Sequence, residues 1–273
     1  LTIATSKQLM PIFDKPMIYY PLSILMLLNI RDILIISTEI DIPRFKKLLG
    51  DGKKLGMNFQ YKIQKEPKGI AEAFLIGKEF IGDDNVSLIL GDNLFYGSGY
   101  LQAIRDKIES LDGSLIFGYQ VNDPERYGVV EFDSNFQVLS LDEKPKNPKT
   151  NYAVPGLYFY DNEVISLAEK LKPSSRGELE ITDLNKAYLQ KNKLFVQLLG
   201  RGVTWFDTGT HESLLEASLL VESIEKRQGL KIACLEEIAF RMDFINKDEL
   251  LDIVKKYTKN DYSNYIYNKY LKS

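Results

Sequence analysis

Short apolar runs alternate with amphipathic stretches through the first part of the chain. DILIIST (32–38), FQYKI (59–63) and VSLIL (86–90) have strand length and composition, whereas 17–29, 70–80 and 100–110 have the length and spacing of helices. Such alternation predicts parallel strands joined by crossover helices, hence an open α/β sheet. The pattern then changes. YGVVEFD, VLSLDEKP and AVPGLYFYD follow one another with turn residues and no helical segment between them, which predicts an antiparallel or mixed extension of the sheet. Helical spacing returns over 162–171 and 179–191, on either side of the loop KPSSRGE. LFVQLLGRGVTWFDTG reads as further strand, and 212–228 as a long helix that Thr210 or His211 can cap and Gly229 ends. With no repeat or flexible linker, residues 1–231 are expected to form one domain and 232–273 a helical extension.

At 273 residues the chain is long enough for a sizeable core, and 44% hydrophobic with 27% charged residues is the mix of an ordinary globular protein rather than a disordered one. A net charge of -3 lacks the basic excess of a duplex-binding surface, so no nucleic-acid partner is expected. The longest apolar stretch, 17–30, is broken by Pro21 and Ser23 and is shorter than the ~20 residues of a membrane span. The opening residues lack signal-peptide features, and the single cysteine, Cys234, cannot form an internal disulfide, so the expected compartment is the cytoplasm. One histidine, His211, excludes a multi-histidine zinc site. What remains is carboxylates, lysines, arginines and backbone amides, the groups that handle phosphates with a hard metal ion.

Two strand ends stand out. LILGDNLFYG (88–97) leads an apolar run into Asp92, where ligands bind in open α/β sheets, although Gly-Asp-Asn is equally good turn chemistry. TWFDTGT (204–210) does the same with Asp207, for which helix capping alone is a sufficient explanation. If both ends open onto one cleft, the two aspartates can share a Mg²⁺, which takes one or two carboxylates and completes its shell with phosphates and water. In DEKP (142–145), Glu143 and Lys144 suit a sugar phosphate, or form a surface ion pair. SSRGELE (174–180) offers Arg176, whose fork can grip a phosphate, with Glu178 and Glu180 read as first-turn helix carboxylates.

The order of these segments is more specific than any one of them. SKQLMPIFDKPMIYYPLS, PRFKKLLGDG, LGDNLFYG, NDPERYGVVEFD, EKP, RGELEITDLN and WFDTGTHESLLEAS together resemble the glucose-1-phosphate thymidylyltransferases, with the match running to about Lys231. The resemblance implies a Rossmann-like open mixed sheet flanked by helices, of nucleotidyltransferase type. It also implies a Mg²⁺-dependent reaction of dTTP with glucose 1-phosphate that gives dTDP-glucose and pyrophosphate. By position, Lys7 resembles the lysine at the reacting phosphates, and Asp92 and Asp207 the metal carboxylates. Gln8, Gln64 and Gly69 resemble the base-recognising groups, and Tyr127 and Gly128 border the sugar nucleotide. Asn93, Glu143, Lys144, Val154, Tyr158 and Arg176 resemble the surroundings of glucose and its phosphate. A homotetramer with a regulatory site near subunit contacts is implied as well.

Two departures bear on these expectations. The family begins with a strand and a Gly-rich loop ending in Gly-Thr-Arg, and this chain starts just after that point, so a longer natural protein is expected. Pro155 replaces a small polar residue and removes one backbone donor beside Val154. In the tail, Leu250, Leu251, Val254 and Tyr257 form one helical stripe and Tyr262, Tyr265, Ile266 and Tyr270 another, suited to subunit contacts or to packing within the subunit. A UTP-dependent uridylyltransferase and a non-catalytic sugar-nucleotide regulator stand as alternatives, since Gln8 and Gln64 can pair with either pyrimidine and the triphosphate loop is missing.

Overall fold

The structure is a computed structural model that describes residues 5–257 and 260–272. The chain folds into two compact units, Leu1–Tyr61 together with Thr208–Ser273, and Lys62–Asp207. The tail groups with the N-terminal segment because its helix Leu235–Arg241 packs on the helix Tyr19–Leu27.

In the Lys62–Asp207 unit a seven-stranded mixed sheet forms the centre. Val86–Ile89 and Ser114–Gln120 run in the same direction, as a crossover predicts, but Leu157–Tyr160 lies between them antiparallel to both. A parallel pair in this sheet joins Ser114–Gln120 to Leu194–Leu198. The expected extension is present: Gly128–Phe132 pairs antiparallel with Val138–Glu143 and, through Ala153, with the short strand Tyr152–Ala153. AVPGLYFYD is thus two strands rather than one. Pro155 has no N–H for the ladder, and the chain opens at 154–156 before pairing again. Helices Val164–Ala168 and Ile181–Gln190 cover the sheet over a core that includes Phe74, Ile116, Tyr160, Leu184 and Tyr188. The helix expected over 70–80 is divided at Gly77 into Glu72–Ile76 and Lys78–Ile81. Apart from the large sheet, Asn93–Gly97 pairs antiparallel with Val203–Asp207.

In the other unit, Asp32–Ser37 lies beside Asn58–Ile63, the latter reaching the boundary between the units, and Pro11–Ile12 forms a hairpin with Lys15–Pro16. Thr210 caps the long helix His211–Gln228, its hydroxyl accepting from the Ser213 N–H, and Gly229 ends that helix at φ 65°. Of the tail stripes, Leu250, Val254 and Ile266 are buried within the chain, Leu251, Tyr262, Tyr265 and Tyr270 are half-buried, and Tyr257 is exposed. Two buried glutamates organise the rest. Glu236 accepts from the hydroxyls of Tyr257 and Tyr262, and Glu237 from those of Tyr265 (2.6 Å) and Tyr270 (2.5 Å).

Burial, reinforced by Glu236, pushes the Tyr257 and Tyr262 phenols up; burial and the hydrogen bond to Glu237 do the same for Tyr265 and Tyr270. A tyrosine raised in the folded state contributes stability that is complete below its unfolded pKa of about 10 and is lost as pH rises beyond it. Melting temperature is therefore expected to fall as pH rises above about 10, less so in a Tyr257→Phe/Tyr262→Phe variant. Equal slopes in the two proteins would refute this origin.

Candidate active site

All of the predicted site residues except Lys7 and Gln8 lie in the Lys62–Asp207 unit. Asp92 sits just past the end of Val86–Ile89, and Asp207 closes Val203–Asp207. The antiparallel register sets Asp207 opposite Asn93, the residue that follows Asp92, and such opposed Cα atoms are about 4.5–5.5 Å apart. Burial pushes the Tyr158 phenol well up, and Glu143, Asp92 and Asp207 all add to that shift. Three carboxylates thus lie within electrostatic reach of one buried phenol. Burial also raises Tyr127 against the pull of the Arg126 guanidinium, with Asp123 and Asp207 adding to the rise. The Tyr127 ring meets Trp205 edge-on at 5.2 Å.

The sugar-side residues gather where the sheet opens at 154–156. Val154 N–H donates to the Gly128 carbonyl at 2.8 Å, and Lys144, at φ 44°, donates its N–H to the Tyr127 carbonyl at 3.0 Å. At Gly128 an added Cβ would lie 3.4 Å from Glu143 Oε2 and 3.3 Å from Thr182 Oγ1. Thr182, which the sequence reading passed over inside an apolar helix start, is buried and donates to Glu143 Oε2 at 2.5 Å. Arg176 is also held by the protein. Its Nε and Nη2 donate to the two oxygens of Glu180 at 3.2 and 2.9 Å, and Ser174 donates to the same carboxylate at 2.6 Å. Glu180 is therefore the partner of Arg176, not merely a carboxylate at a helix start.

In the same unit, Gln64 Nε2 donates to Glu72 Oε2 at 2.7 Å and to the Gly69 carbonyl at 3.3 Å. Gly69 has φ 100°, and an added Cβ would lie 2.4 Å from the Leu179 carbonyl oxygen, so only glycine fits this turn. Lys7 and Gln8 occupy the 3₁₀ turn Lys7–Leu9 of the other unit, where Gln8 accepts from the Ser6 hydroxyl.

A family model for nucleotidyl transferases matches residues 1–224. The chain belongs to the nucleotidyl transferase family. Among its relatives, the glucose-1-phosphate thymidylyltransferase of Neisseria meningitidis serogroup A is 53% identical over 97% of this chain and 92% of its own length. That of Mycolicibacterium smegmatis is 54% identical over the same shares. A Bacillus anthracis structure assigned as a glucose-1-phosphate thymidylyltransferase and solved with sucrose superposes with a TM-score of 0.74 at 38% identity, covering 80% of this chain and 87% of that one. A UDP-glucose pyrophosphorylase complexed with UDP-glucose shares the fold, with a TM-score of 0.70 at 22% identity over 81% of this chain and 91% of that one.

Nucleotidyl transferases are generally metal-dependent, and the donor set here bears on which ion fits. Among the described residues no group of three or more His, Cys, Asp and Glu side chains is placed to hold a metal. Two neighbouring carboxylates suit a hard ion that fills its shell with substrate and water oxygens, and do not suit a thiolate or imidazole site. The single cysteine, Cys234, is buried and its thiol is pushed up by that burial, so it stays protonated. Among the described residues no helix is long and apolar enough to cross a membrane.

Proposed function

We propose that this enzyme transfers a thymidylyl group from dTTP to glucose 1-phosphate, giving dTDP-glucose and pyrophosphate in a single in-line displacement with Mg²⁺ held by Asp92 and Asp207. The observation that carries the reading is identity above 50% over nearly the whole length to two enzymes of that name. Glucose 1-phosphate is mostly dianionic at pH 7, since the second pKa of a phosphate monoester is about 6, and needs no general base. The obstacle is charge: each unit pair of like charges at ~4 Å repels by about 4 kcal/mol at an effective dielectric of 20. The ion, when bound, supplies Lewis-acid polarisation of the α-phosphate.

The protein supplies the rest. Glu143, fixed by Thr182, accepts from sugar hydroxyls, and the Val154 and Gly128 backbone with Lys144 borders the sugar phosphate. Arg176, steadied by Glu180, adds positive charge on the phosphate side, Lys7 offsets charge on the nucleotide phosphates, and Gln8, Gln64 and Gly69 recognise the base. Asn93, Tyr127 and Tyr158 belong to the walls of this site. On the same resemblance the protein works in the cytoplasm as a homotetramer, which light scattering would test as a mass four times that of the chain.

Pyrophosphate release decides between this reading and its rivals. The protein is expected to release it from dTTP and glucose 1-phosphate only when Mg²⁺ is present, and more slowly when UTP replaces dTTP. Faster turnover with UTP would reassign the nucleotide. Binding of dTDP-glucose without any pyrophosphate would make the protein a regulator.

A further inference from the structure

Asn93 is 3% exposed, and its amide joins three elements around Asp92. Its side-chain oxygen accepts from Trp205 Nε1 at 2.6 Å and from the Gly156 N–H at 3.0 Å. With two donors on the oxygen, the amide can take only one orientation, and Nδ2 then donates to Asp92 Oδ1 at 3.1 Å. We infer that Trp205 and Asn93 are positioning residues that hold the Asp92 carboxylate in the orientation the metal ion requires. This rests on the metal reading proposed above.

The chain of contacts is closed at each step. Trp205 lies two residues before Asp207 on the same strand, and its ring is held edge-on by Tyr119 (5.6 Å) and Tyr127 (5.2 Å). At Gly156 there is no room for a side chain: a Cβ would lie 2.9 Å from Asn93 Oδ1 and 2.6 Å from the Leu90 side chain. The last torsion of Asp92, which is half-buried, has broad, shallow preferences that a hydrogen bond to one oxygen narrows. Fixing one oxygen inward orients the whole carboxylate. The Asn93 oxygen is engaged by the protein, and one of the two hydrogens on Nδ2 goes to Asp92, so a positioning role is compatible with the place of Asn93 in the wall of the site.

The experiment uses Mn²⁺ alone as the probe, titrated into the full chain and read from the electron paramagnetic resonance signal of the unbound ion, so that turnover plays no part. Trp205→Phe keeps the ring but loses Nε1–H. It is expected to weaken Mn²⁺ binding about 10- to 100-fold, the usual effect of removing an outer-shell partner, with the circular dichroism spectrum unchanged. Asn93→Ala, which leaves the Trp205 ring in place, is expected to weaken it by a similar factor and decides the matter if Trp205→Phe does not fold. Loss of binding in Asp92→Ala with normal binding in both other variants would overturn the positioning role and leave the metal reading standing. Normal binding in Asp92→Ala would overturn the metal reading, and the positioning role with it.

Discussion

Replacing Asp92 by alanine is expected to lower the rate of pyrophosphate release at least about 10³-fold while leaving the melting curve nearly unchanged. Lewis-acid stabilisation of a transferring phosphoryl group amounts to several kcal/mol, and each 1.36 kcal/mol of barrier is tenfold in rate. Asp207→Ala should do the same. The informative variant is the double one. If the two side chains serve one ion, removing the second after the first takes away nothing further, and the double variant falls no lower than either single one, a departure from additivity that residues acting on separate ligands would not give. The register supports one shared ligand, because Asp207 is paired with the residue next to Asp92. Additive losses, or a double variant that keeps the turnover of wild type, would separate the aspartates and end the proposed mechanism.

Both aspartates were legible in the sequence because the signal is local. An apolar run of strand length that stops at an acidic residue places that residue at a strand end whatever the rest of the fold does. That the strand after Asp92 pairs with the strand before Asp207 was not legible, because pairing across so long a separation is chosen by the packed sheet. The same distinction explains the fold. Helix His211–Gln228 with its cap at Thr210 and stop at Gly229 follows from local rules, and so do the strands on either side of 133–137. The insertion of Leu157–Tyr160 between two strands of like direction does not.

Side-chain partners were less legible still. Thr182 and Trp205 are both buried, and nothing in the sequence pattern shows that each also donates a hydrogen bond to a polar side chain of the candidate site. Glu180 reads as a helix-start carboxylate because the commonest role of that residue in that place is electrostatic. Its pairing with Arg176 depends on how the intervening loop turns back, at Gly177 with φ 78°. A residue's type and its neighbours in sequence thus identify candidates, while the partner that orients it comes from the fold.

The largest loss of stability is expected where the sequence looked most ordinary. Neither Lys15 nor Glu225 stands out in the sequence, yet the Lys15 side chain is 1% exposed and that of Glu225 4%, and the two meet at 2.8 Å. Asp14 and Lys231 close the arrangement: Lys231 binds Glu225 Oε2 at 2.8 Å and also reaches Asp14, which pairs in turn with Lys15. Two ammoniums and two carboxylates alternate in a ring that ties the hairpin at 11–16 to the long helix and to the start of the tail. Glu225 lies in the last turns of that helix, where the macrodipole disfavours a carboxylate, so the helix alone does not account for it. Glu225→Ala leaves a buried ammonium with one partner fewer, and breaking such a pair costs about 3–5 kcal/mol. At roughly 2–4 °C per kcal/mol for a chain of this size class, melting should drop by roughly 6–20 °C. Adding Lys15→Met should restore much of the loss, because the orphaned charge goes with it. The ring also sets an acid limit: burial opposes the charged form of Asp14, but the hydrogen bonds and charges of Lys15 and Lys231 prevail and hold its pKa below the usual range. A carboxylate lowered in the folded state contributes stability that is present above about pH 4 and lost as pH falls further. Wild type is therefore expected to lose melting temperature below pH 4 more steeply than an Asp14→Asn variant. A Glu225→Ala protein that melts within 2 °C of wild type would show that the ring holds nothing together.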